Sequence, residues 1–441
     1  MIIDINEQTV NEIKNPAFAS YAHIYVRIYE QFMDQFKGTG VEIDPACYEQ
    51  QLTEKMARLR QKGAIFRNQD KSIYVNQISP ACVACQTGVG SATFFVSLKC
   101  HRDCYYCFNP NQENYDYFNQ HKRNVIGELA RAQAAGQKIK HLALTGGEPL
   151  LHKQEAVEFY QFASDKFPDA FTRLYTCGDY ADETILAELQ AAGLDEIRFS
   201  IRMHDLAKGH RFVFERIALA KQYIPHVLVE MPILPGTLEI MKDVLLELDQ
   251  LGVDSINLLE FCFPLVNAPA FRERAFKLKA QPYKILYNYW YAGGLPIAHS
   301  ELECLDLLEF ALDQELTMGV HYCSLENKHT GQIYQQNFGQ TIPPTHYFSE
   351  KDYFLKSAKV YGADIPKVLK LFRRQRITGY VHNDEYDYLE FHVDQIGKLG
   401  RLNVEVGVSS SVMEMRDDGQ YLRELKVDLT RPSTFDRNRD I

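Results

Sequence analysis

The sequence predicts an α/β protein built on a parallel sheet, and three observations lead to this prediction. Six short runs rich in β-branched and aromatic residues follow one another between residues 92 and 261. Helix-like stretches separate these runs, and such repetition is typical of a parallel sheet. Two motifs stand directly after two of the runs, where parallel strands reach one common edge of a sheet. The chemistry of the protein is therefore expected at that edge.

Each part of the chain carries its own structural signal. Residues 1 to about 70 show apolar residues at helical spacing, and residues 64–78 alternate like a hairpin around Asn68 to Asp70. The six predicted strands are ATFFVSL, HLALTGG, FTRLYTCG, EIRFSIR, HVLVEMPIL and SINLLEF. Six strand–helix units predict a partial (β/α)6 barrel of the TIM type. Beyond about residue 290 the alternation stops, and a C-terminal α+β domain is expected.

This pattern divides the 441 residues into three predicted domains. Residues 1–79 form an N-terminal helical extension and hairpin, residues 80–290 the barrel core, and residues 291–441 the C-terminal domain. A chain of this length has room for two or three domains.

Composition and charge narrow the class of protein. The apolar content of 46% is ordinary for a globular protein, and the net charge of −10 argues against a broad basic surface for nucleic acid. The first residues show no basic and apolar leader, and no run approaches 18 apolar residues. We therefore expect a cytoplasmic protein without a membrane partner. Ten cysteines in that compartment are expected to be reduced thiols and metal ligands.

The first motif is a cysteine loop after the first predicted strand. FFVSLKCHRDCYYCFNP places Cys100, Cys104 and Cys107 within eight residues. Three thiolates at this spacing can bind one inorganic unit, and the missing fourth thiolate leaves a metal position for a ligand that is not protein. A zinc knot or a set of buried thiols is the alternative interpretation of this motif alone.

The second motif is the turn after the strand HLALTGG. Gly146 and Gly147 allow a close approach to the backbone, Glu148 offers a carboxylate to an ammonium group, and Pro149 stiffens the turn. Taken alone, this tetrapeptide is also a common structural turn. Its position at the same sheet edge as the cysteine loop favours a ligand site.

Together the two motifs resemble those of the radical S-adenosylmethionine (SAM) superfamily. Within it, SPACVACQTG, TGGEPLL, AGLDEIRF and HYCS look similar to a group related to pyruvate formate-lyase activating enzymes. The resemblance covers roughly residues 80–265. It implies a [4Fe-4S] cluster on the three cysteines, with SAM on the fourth iron.

The same resemblance assigns roles to further residues. Tyr106 matches the position that lies against adenine, and the Gly146 to Pro149 turn receives the SAM amino group. Ser200 and Arg202 alternate along the fourth strand and share a face, where a hydroxyl and a guanidinium could hold the ribose and carboxylate of SAM. A capping hydroxyl and a surface arginine are the alternative for this pair.

The implied function is reductive cleavage of SAM to a 5′-deoxyadenosyl radical that abstracts hydrogen from a substrate. The activase-like kinship and the extra terminal domains favour a peptide or protein over a small molecule. A low-potential donor such as flavodoxin or ferredoxin would supply the electron. The hypothesis from another class is a non-catalytic iron–sulfur or zinc protein for sensing or electron transfer, which has no need of the Gly-Gly-Glu-Pro turn.

Two carboxylates in apolar strands are candidate catalytic groups. Glu230 lies in LVEMPIL and Glu260 in LLEFCF, and buried carboxylates are rare unless they are paired or functional. Structural ion pairing is the alternative for both. Cys177 and Cys262, which follow the third and sixth strands, are interpreted as structural.

A second metal centre is suggested by SPACVACQTG. Cys82 and Cys85 have ligand spacing, and Cys323 in HYCS is the candidate third ligand, with Cys304 or His321 as a further one. No fourth cysteine is designated, so a pair of ordinary thiols at a tight turn remains the alternative.

Overall fold

A computed structural model describes residues 1–46, 48–207, 209, 211–288 and 294–441. None of the helices formed by these residues has both the length and the apolar character needed to cross a bilayer. The predicted boundary between residues 290 and 291 lies outside the described residues.

The described strands are short in the first third of the chain and longer towards its end. In chain order they are β1 (Ile2–Ile3), β2 (Ile43–Asp44), β3 (Ile65–Arg67), β4 (Ser72–Val75), β5 (Ser91–Phe95), β6 (His141–Thr145), β7 (Phe171–Thr176), β8 (Glu196–Phe199), β9 (His226–Ile233), β10 (Ser255–Glu260), β11 (Cys262–Phe263), β12 (Leu278–Lys279), β13 (Leu295–Pro296), β14 (Gly319–Cys323), β15 (Tyr347–Phe348), β16 (Leu355–Tyr361), β17 (Tyr380–Asn383), β18 (Tyr388–Phe391), β19 (Val406–Arg416) and β20 (Gly419–Thr430).

Helices connect most of these strands. They are α1 (Pro16–Lys37), α2 (Glu49–Lys62), α3 (Pro80–Cys85), α4 (Tyr115–Gln120), α5 (Val125–Ala134), α6 (Lys153–Lys166), α7 (Glu183–Ala191), α8 (Met203–Ala207), α9 (Phe212–Ala220), α10 (Leu238–Gln250), α11 (Ala268–Glu273), α12 (Ser300–Asp313), α13 (Leu325–Asn337), α14 (Ile365–Gln375) and α15 (Arg437–Asp440). Five 3-10 segments accompany them: Thr9–Glu12, Asn109–Asn111, Pro149–His152, Gly362–Asp364 and Val393–Leu399.

The described chain divides into two units. One contains residues 1–40, 283–288 and 332–441, and the other contains the described residues within 41–282 and 289–331. The second unit, called the core unit below, carries both sequence motifs.

The sheet of the core unit has nine strands in the order β3-β4-β14-β10-β9-β8-β7-β6-β5. Strands β5 to β10 and β14 run parallel, while β3 and β4 form an antiparallel hairpin at one edge. The turn of that hairpin has left-handed backbone at Asn68, Gln69 and Asp70. The α/β class and the six predicted strands are confirmed. A seventh parallel strand, β14, was not predicted.

The two faces of this sheet differ in chemistry. Residues paired across neighbouring strands point to the same side, because side chains alternate along each strand. One side is apolar and at most 1% exposed, and the helices cover it; it consists of Leu142, Leu144, Leu174, Ile197, Phe199, Val227, Val229, Met231, Ile256, Leu258, Val320 and Tyr322. The other side, the polar face, carries Arg173, Tyr175, Arg198, Glu230, Asn257 and His321.

Side-chain caps explain where several crossover helices begin. Asn124 accepts a hydrogen bond from Gly127 N before α5, and Asp182 accepts one from Ile185 N before α7. Each cap satisfies an N–H group that lacks a partner within its helix. These helices are thereby fixed at the edge where β5 and β7 end.

The other unit is an antiparallel sheet in the order β1-β20-β19-β16-β18-β17, with β15 paired to β16. Helix α1 packs on one face through Phe18 and Tyr21, and α14 packs on the other through Val368 and Phe372. Ion pairs of Lys359 with Glu424 and Glu390 lie on the α1 side.

Strand pairing explains which segments belong to each described unit. Residues 1–40 join the C-terminal sheet because Ile2 and Ile3 pair with Thr430 and Leu429 of β20. Residues 294–331 join the core unit because β14 completes its parallel sheet.

Candidate active site

The cysteine loop leaves the sheet at the end of β5. Main-chain hydrogen bonds fix its base, from Leu98 N to Phe118 O at 2.9 Å and from Arg123 N to Val96 O at 2.7 Å. Cys107 N donates to Cys104 O at 2.9 Å and tightens the second half of the loop. Burial raises the pKa of the Cys104 thiol to about 11, although the nearby Arg202 lowers it. A thiol in such surroundings becomes a thiolate when a metal shares its charge.

The Gly146-Gly147-Glu148 turn at the end of β6 lies directly on this loop. Gly147 N donates to Ser97 O at 3.1 Å, and Glu148 N donates to Lys99 O at 2.9 Å. Asn109, just beyond the last cysteine, donates from Nδ2 to Gly146 O at 2.6 Å. The two sequence motifs therefore form one structural element.

The structure shows why residues 146 and 147 are glycines, and the explanation differs from the predicted approach of a ligand. A Cβ on Gly147 would lie 1.9 Å from Lys99 O, and a Cβ on Gly146 would lie 2.6 Å from Ser97 O. Gly146 also has a φ of +116°, which side chains rarely adopt. The close approach that requires these glycines is the one between the turn and the backbone of the cysteine loop.

Glu148 is 2% exposed, and its carboxylate is held by the protein. Oε1 accepts hydrogen bonds from Leu150 N at 3.0 Å and Thr176 Oγ1 at 2.8 Å, and Oε2 accepts one from Cys177 N at 2.8 Å. The first of these caps the 3-10 segment that begins at Pro149. Glu148 thus links the ends of β6 and β7.

A cavity opens at the same edge of the sheet. It is lined by Arg102, Cys177, Ser200, Ile201, Arg202, Asp205, Leu206, Phe212 and Val213. The two predicted SAM contacts, Ser200 and Arg202, both line it, together with Arg102 of the cysteine loop. Cys177, interpreted from the sequence as structural, lines it as well.

Arg102 joins three strand ends around this cavity. Its Nε donates to Asp179 Oδ2 at 2.5 Å and its Nη1 to Asp205 Oδ2 at 2.7 Å. Burial alone would raise the pKa of Asp179, but Arg102 and His101 hold it below the usual value. The cysteine loop is thereby tied to the segments after β7 and β8.

Arg202 lies between the cavity and the cysteine loop. Its side chain is 13% exposed, and its Nε lies 3.4 Å from Asp205 Oδ2. The positive charge of Arg202 lowers the pKa of the Tyr106 hydroxyl, which burial raises strongly. The ring of Tyr106 packs edge-on against Phe261 at 5.8 Å. Arg202, Tyr106 and Cys104 are therefore neighbours.

Glu230 and Glu260 are placed on opposite faces of the sheet. Glu230 lies on the polar face, where Oε2 pairs with Arg198 Nη1 at 2.6 Å and accepts from Asn257 Nδ2 at 2.7 Å. Burial would raise the pKa of Glu230, but Arg198 and Asn257 bring it below the usual value.

Glu260 points to the helix-covered face. Its Oε2 accepts from Leu325 N at 2.7 Å, and its Oε1 lies 3.7 Å from Lys279 Nζ. Lys279 also pairs with Glu301 of α12 at 2.6 Å. Burial raises the pKa of Glu260 to about 7, with Lys279 opposing and Glu301 adding to the rise. Ion pairing, the structural alternative for this residue, is what the structure shows.

Three side chains of metal-binding type converge within the described part of the chain: His101, Cys177 and Asp179, whose ligand atoms lie within 4.8 Å of one another. Arg102 already pairs with Asp179, so these atoms belong to the ion-pair network described above. The sulfur atoms of Cys100, Cys104 and Cys107 do not converge so closely. A [4Fe-4S] cluster fits such a wider spacing because it binds each cysteine at a separate iron.

The sequence analysis missed Arg102, Asp205 and Cys177 as cavity residues, and Asp179 as a partner of Arg102. Cys177 and Asp179 follow the end of β7. Residues at strand ends are expected at the ligand site, and the argument that identified Ser200 and Arg202 would have identified these two as well. For Arg102 and Asp205 no comparable signal exists, because their positions depend on an ion pair between separate loops.

Comparison with known proteins agrees with this arrangement. The model described as Radical SAM superfamily matches residues 95–248, which include the cysteine loop, the glycine turn and every residue that lines the cavity. The similarity to this superfamily therefore lies in the part of the chain that carries both motifs and the cavity.

Among curated proteins, the chain is 28% identical over 218 residues to a protein of Methanocaldococcus jannaschii provisionally named as a glycyl-radical enzyme activating enzyme. The match covers 46% of this chain and 56% of that protein. The chain thus spans a little over half the length of this relative.

Two solved structures show a limited likeness. Streptococcus suis SuiB bound to the precursor peptide SuiA has a TM-score of 0.38 and 12% identity, with 67% of this chain and 62% of that chain covered. The structure titled native anSMEcpe with bound AdoMet and Cp18Cys peptide has a TM-score of 0.31 and 17% identity, with 38% and 50% covered.

The contact between turn and loop yields a first prediction. Gly147→Ala places a methyl group inside the van der Waals radius of Lys99 O, so the loop must move. We expect the free energy of unfolding to fall by about 3 kcal/mol and the bound iron to decrease. Chemical denaturation and iron analysis measure the two effects.

Gly136→Ala is the matched control. Gly136 has a φ of +70° but nothing within 4 Å of an added Cβ. This variant should lose only about 1–2 kcal/mol from backbone strain and keep its iron. Equal iron loss in both variants would contradict the proposed role of the Gly147 contact.

Glu260 yields a prediction about pH. Its pKa in the folded protein is about 7, compared with an ordinary value of 4.5, so its protonation stabilises the fold. This contribution is fully present below the ordinary value and is lost as the pH rises through about 7. The free energy of unfolding of the wild type minus that of Glu260→Gln should therefore fall between about pH 5 and pH 8. A constant difference over that range would show that Glu260 does not titrate there.

Proposed function

We propose that this protein is a radical SAM enzyme that binds a [4Fe-4S] cluster at Cys100, Cys104 and Cys107 and cleaves SAM reductively, with a peptide or protein as its substrate. One observation supports this proposal above the others: the cysteine loop, the glycine turn and an arginine-lined cavity meet at one edge of the sheet. The contact of Gly147 with Lys99 makes loop and turn a single element.

When bound, the cluster and SAM would supply an electron, an iron without a protein ligand and a 5′-deoxyadenosyl radical that takes hydrogen from the substrate. The protein positions these groups and excludes water. Arg202 is proposed to bind the SAM carboxylate, since it lines the cavity beside Cys104. Ser200 is proposed to bind the ribose and Tyr106 to lie against the adenine.

Glu148 is the proposed acceptor for the SAM ammonium. Oε1 already receives two protein donors, whereas Oε2 receives a hydrogen bond from Cys177 N. We therefore assign the ammonium to Oε2, alongside the main chain of Gly146 and Gly147. Held by three donors, the carboxylate would not reorient when SAM binds.

The substrate class rests on the relative from Methanocaldococcus jannaschii, whose name describes an activating enzyme that acts on a protein. The separate antiparallel unit provides additional protein surface for a partner of that size. Flavodoxin or ferredoxin is the proposed electron donor. Glu230 is the proposed carboxylate on the substrate side, because it lies on the polar face whereas Glu260 does not.

The cluster assignment predicts the behaviour of a triple variant. Replacing Cys100, Cys104 and Cys107 by alanine should lower iron and sulfide by about four atoms each per chain, the content of one [4Fe-4S] cluster. Anaerobic incubation with SAM and dithionite should then give no 5′-deoxyadenosine. Cys304→Ala, which removes a buried thiol from α12, is the control that keeps both. A wild type with an intact cluster that forms no 5′-deoxyadenosine would instead support an electron-transfer protein.

The Arg202 assignment predicts a change in SAM affinity. Arg202→Ala removes a charge-assisted hydrogen bond of about 1.5–3 kcal/mol, so the Kd for SAM should rise about tenfold to a hundredfold. Iron content should stay the same. Calorimetric titration of SAM into the reconstituted variant measures this, and Arg131→Ala on the exposed side of α5 is the control. An unchanged Kd in the Arg202 variant would exclude the contact.

A further inference from the structure

We propose that Cys82, Cys85 and Cys323 hold a second iron–sulfur cluster on the polar face of the core sheet. This site is distinct from the cysteine loop and does not depend on the reaction proposed above. Contacts of the three thiols, their hydrogen-bond donors and a buried arginine support it.

Helix α3 brings two of the cysteines to the polar face. Cys82 and Cys85 are three residues apart and therefore lie on the same side of the helix. Cys82 Sγ lies 3.5 Å from Arg198 Nη2 and 3.2 Å from Asn257 Nδ2. Arg198 and Asn257 both project from the polar face, so α3 lies against that side of the sheet.

Cys323 reaches the same region from β14. It lies two residues after His321, which pairs with Asn257 in the adjacent strand, so Cys323 and His321 point to the same face. Asn257, which donates to Cys82 Sγ at 3.2 Å, lies on the strand next to β14. Cys82 and Cys323 are therefore placed over neighbouring strands on the same face of the sheet.

N–H groups donate towards two of these sulfur atoms. Cys82 Sγ faces Arg198 and Asn257, and Cys323 Sγ accepts from Asn327 Nδ2 at 3.3 Å. A neutral thiol is a weak acceptor, whereas a metal-bound thiolate is a strong one. N–H donors around cluster sulfurs are also a usual means of setting the reduction potential.

Arg173 supplies the second, independent observation. It is 8% exposed, and its Nε has no hydrogen-bond acceptor. Within the described part of the chain, no carboxylate lies within 4.0 Å of it, since Glu196 and Glu230 both pair with Arg198. A buried cation without a direct ion pair is costly. A cluster bound by three thiolates carries net negative charge, and Arg173 lies on the strand beside that of Arg198, whose Nη2 is 3.5 Å from Cys82 Sγ.

Neither of the two residues considered from the sequence as a further ligand is available. Both ring nitrogens of His321 are engaged, Nε2 with Ser72 Oγ at 2.8 Å and Nδ1 with Asn257 Oδ1 at 2.9 Å. Cys304 is buried in α12, where Glu260 and Glu301 of the helix-covered side are its neighbours. The second cluster would therefore have three protein ligands and one iron open to a ligand from solvent or substrate.

The experiment uses the Cys100/Cys104/Cys107 alanine variant, reconstituted without oxygen from ferrous iron and sulfide. We expect about four irons and four sulfides to remain per chain, with a [4Fe-4S] signal in electron paramagnetic resonance after reduction. Adding Cys82→Ser and Cys85→Ser should abolish that signal and that iron. A triple variant without iron but with the circular dichroism of the wild type, or one that holds only zinc, would overturn the proposal.

A second measurement covers the case in which the triple variant does not fold. Reconstituted wild type should contain about eight irons per chain, the Cys82→Ser/Cys85→Ser variant about four, and the Cys304→Ala control about eight. Equal iron in wild type and the Cys82/Cys85 variant refutes the second cluster. The production of 5′-deoxyadenosine is measured separately, so failure of the proposed reaction and failure of this site are distinguishable.

Discussion

The backbone contact between the Gly146-Gly147 turn and residues 97–99 is the constraint on which the site depends. A side chain at either glycine would collide with main-chain atoms of the cysteine loop, and main-chain atoms cannot move aside as a flexible side chain can. Two short hydrogen-bonded segments are thereby locked at the ends of adjacent strands. Arg102 extends the connection to the ends of β7 and β8 through Asp179 and Asp205. The predicted cofactor-binding residues between 100 and 202 all lie in or next to these connected segments. Their positions are therefore set by the ends of the sheet strands and not by a free loop.

The two faces of the core sheet have different roles: the helix-covered face stabilises the fold, and the polar face carries the charged side chains. The helix-covered face is made of aliphatic and aromatic side chains with almost no exposure, and burial of each contributes about 1.5–3 kcal/mol. The polar face contributes less to the free energy of folding, because each buried ion loses its hydration and must regain that energy from its partners. Arg198 achieves this with Glu196, Glu230 and Ser79. Such a network is retained where orientation matters, and here it lies on the same side of the sheet as Ser200 and Cys177.

Features of the fold and site that depend on local sequence could be predicted, whereas features that depend on contacts between distant residues could not. The six parallel strands and the two motifs have local signatures, and all six strands were found. Strand β14 was missed because its pairing with β10 joins segments more than 60 residues apart, and nothing local to HYC indicates a partner. The face on which Glu260 lies follows from strand register, which the sequence shows only where alternation is strict. The glycine turn was expected to approach a ligand, yet the nearer object is the protein's own backbone, which only the folded chain reveals.

The two arginines of the polar face, Arg173 and Arg198, differ in their direct ion-pair partners. Arg198 pairs with both nearby carboxylates, at 2.6 Å each, whereas Arg173, which lies opposite Glu196 on the neighbouring strand, makes no ion pair within 4.0 Å among the described residues. Tyr175, whose ring lies 5.4 Å from Arg198 and 5.9 Å from Arg173, offers only the weaker attraction of its π-electrons. Replacing Arg173 by an apolar residue would be cheaper if the face served packing alone. A buried guanidinium on the face that carries these thiols is stabilised when the thiols are negatively charged, and they become so when they bind metal.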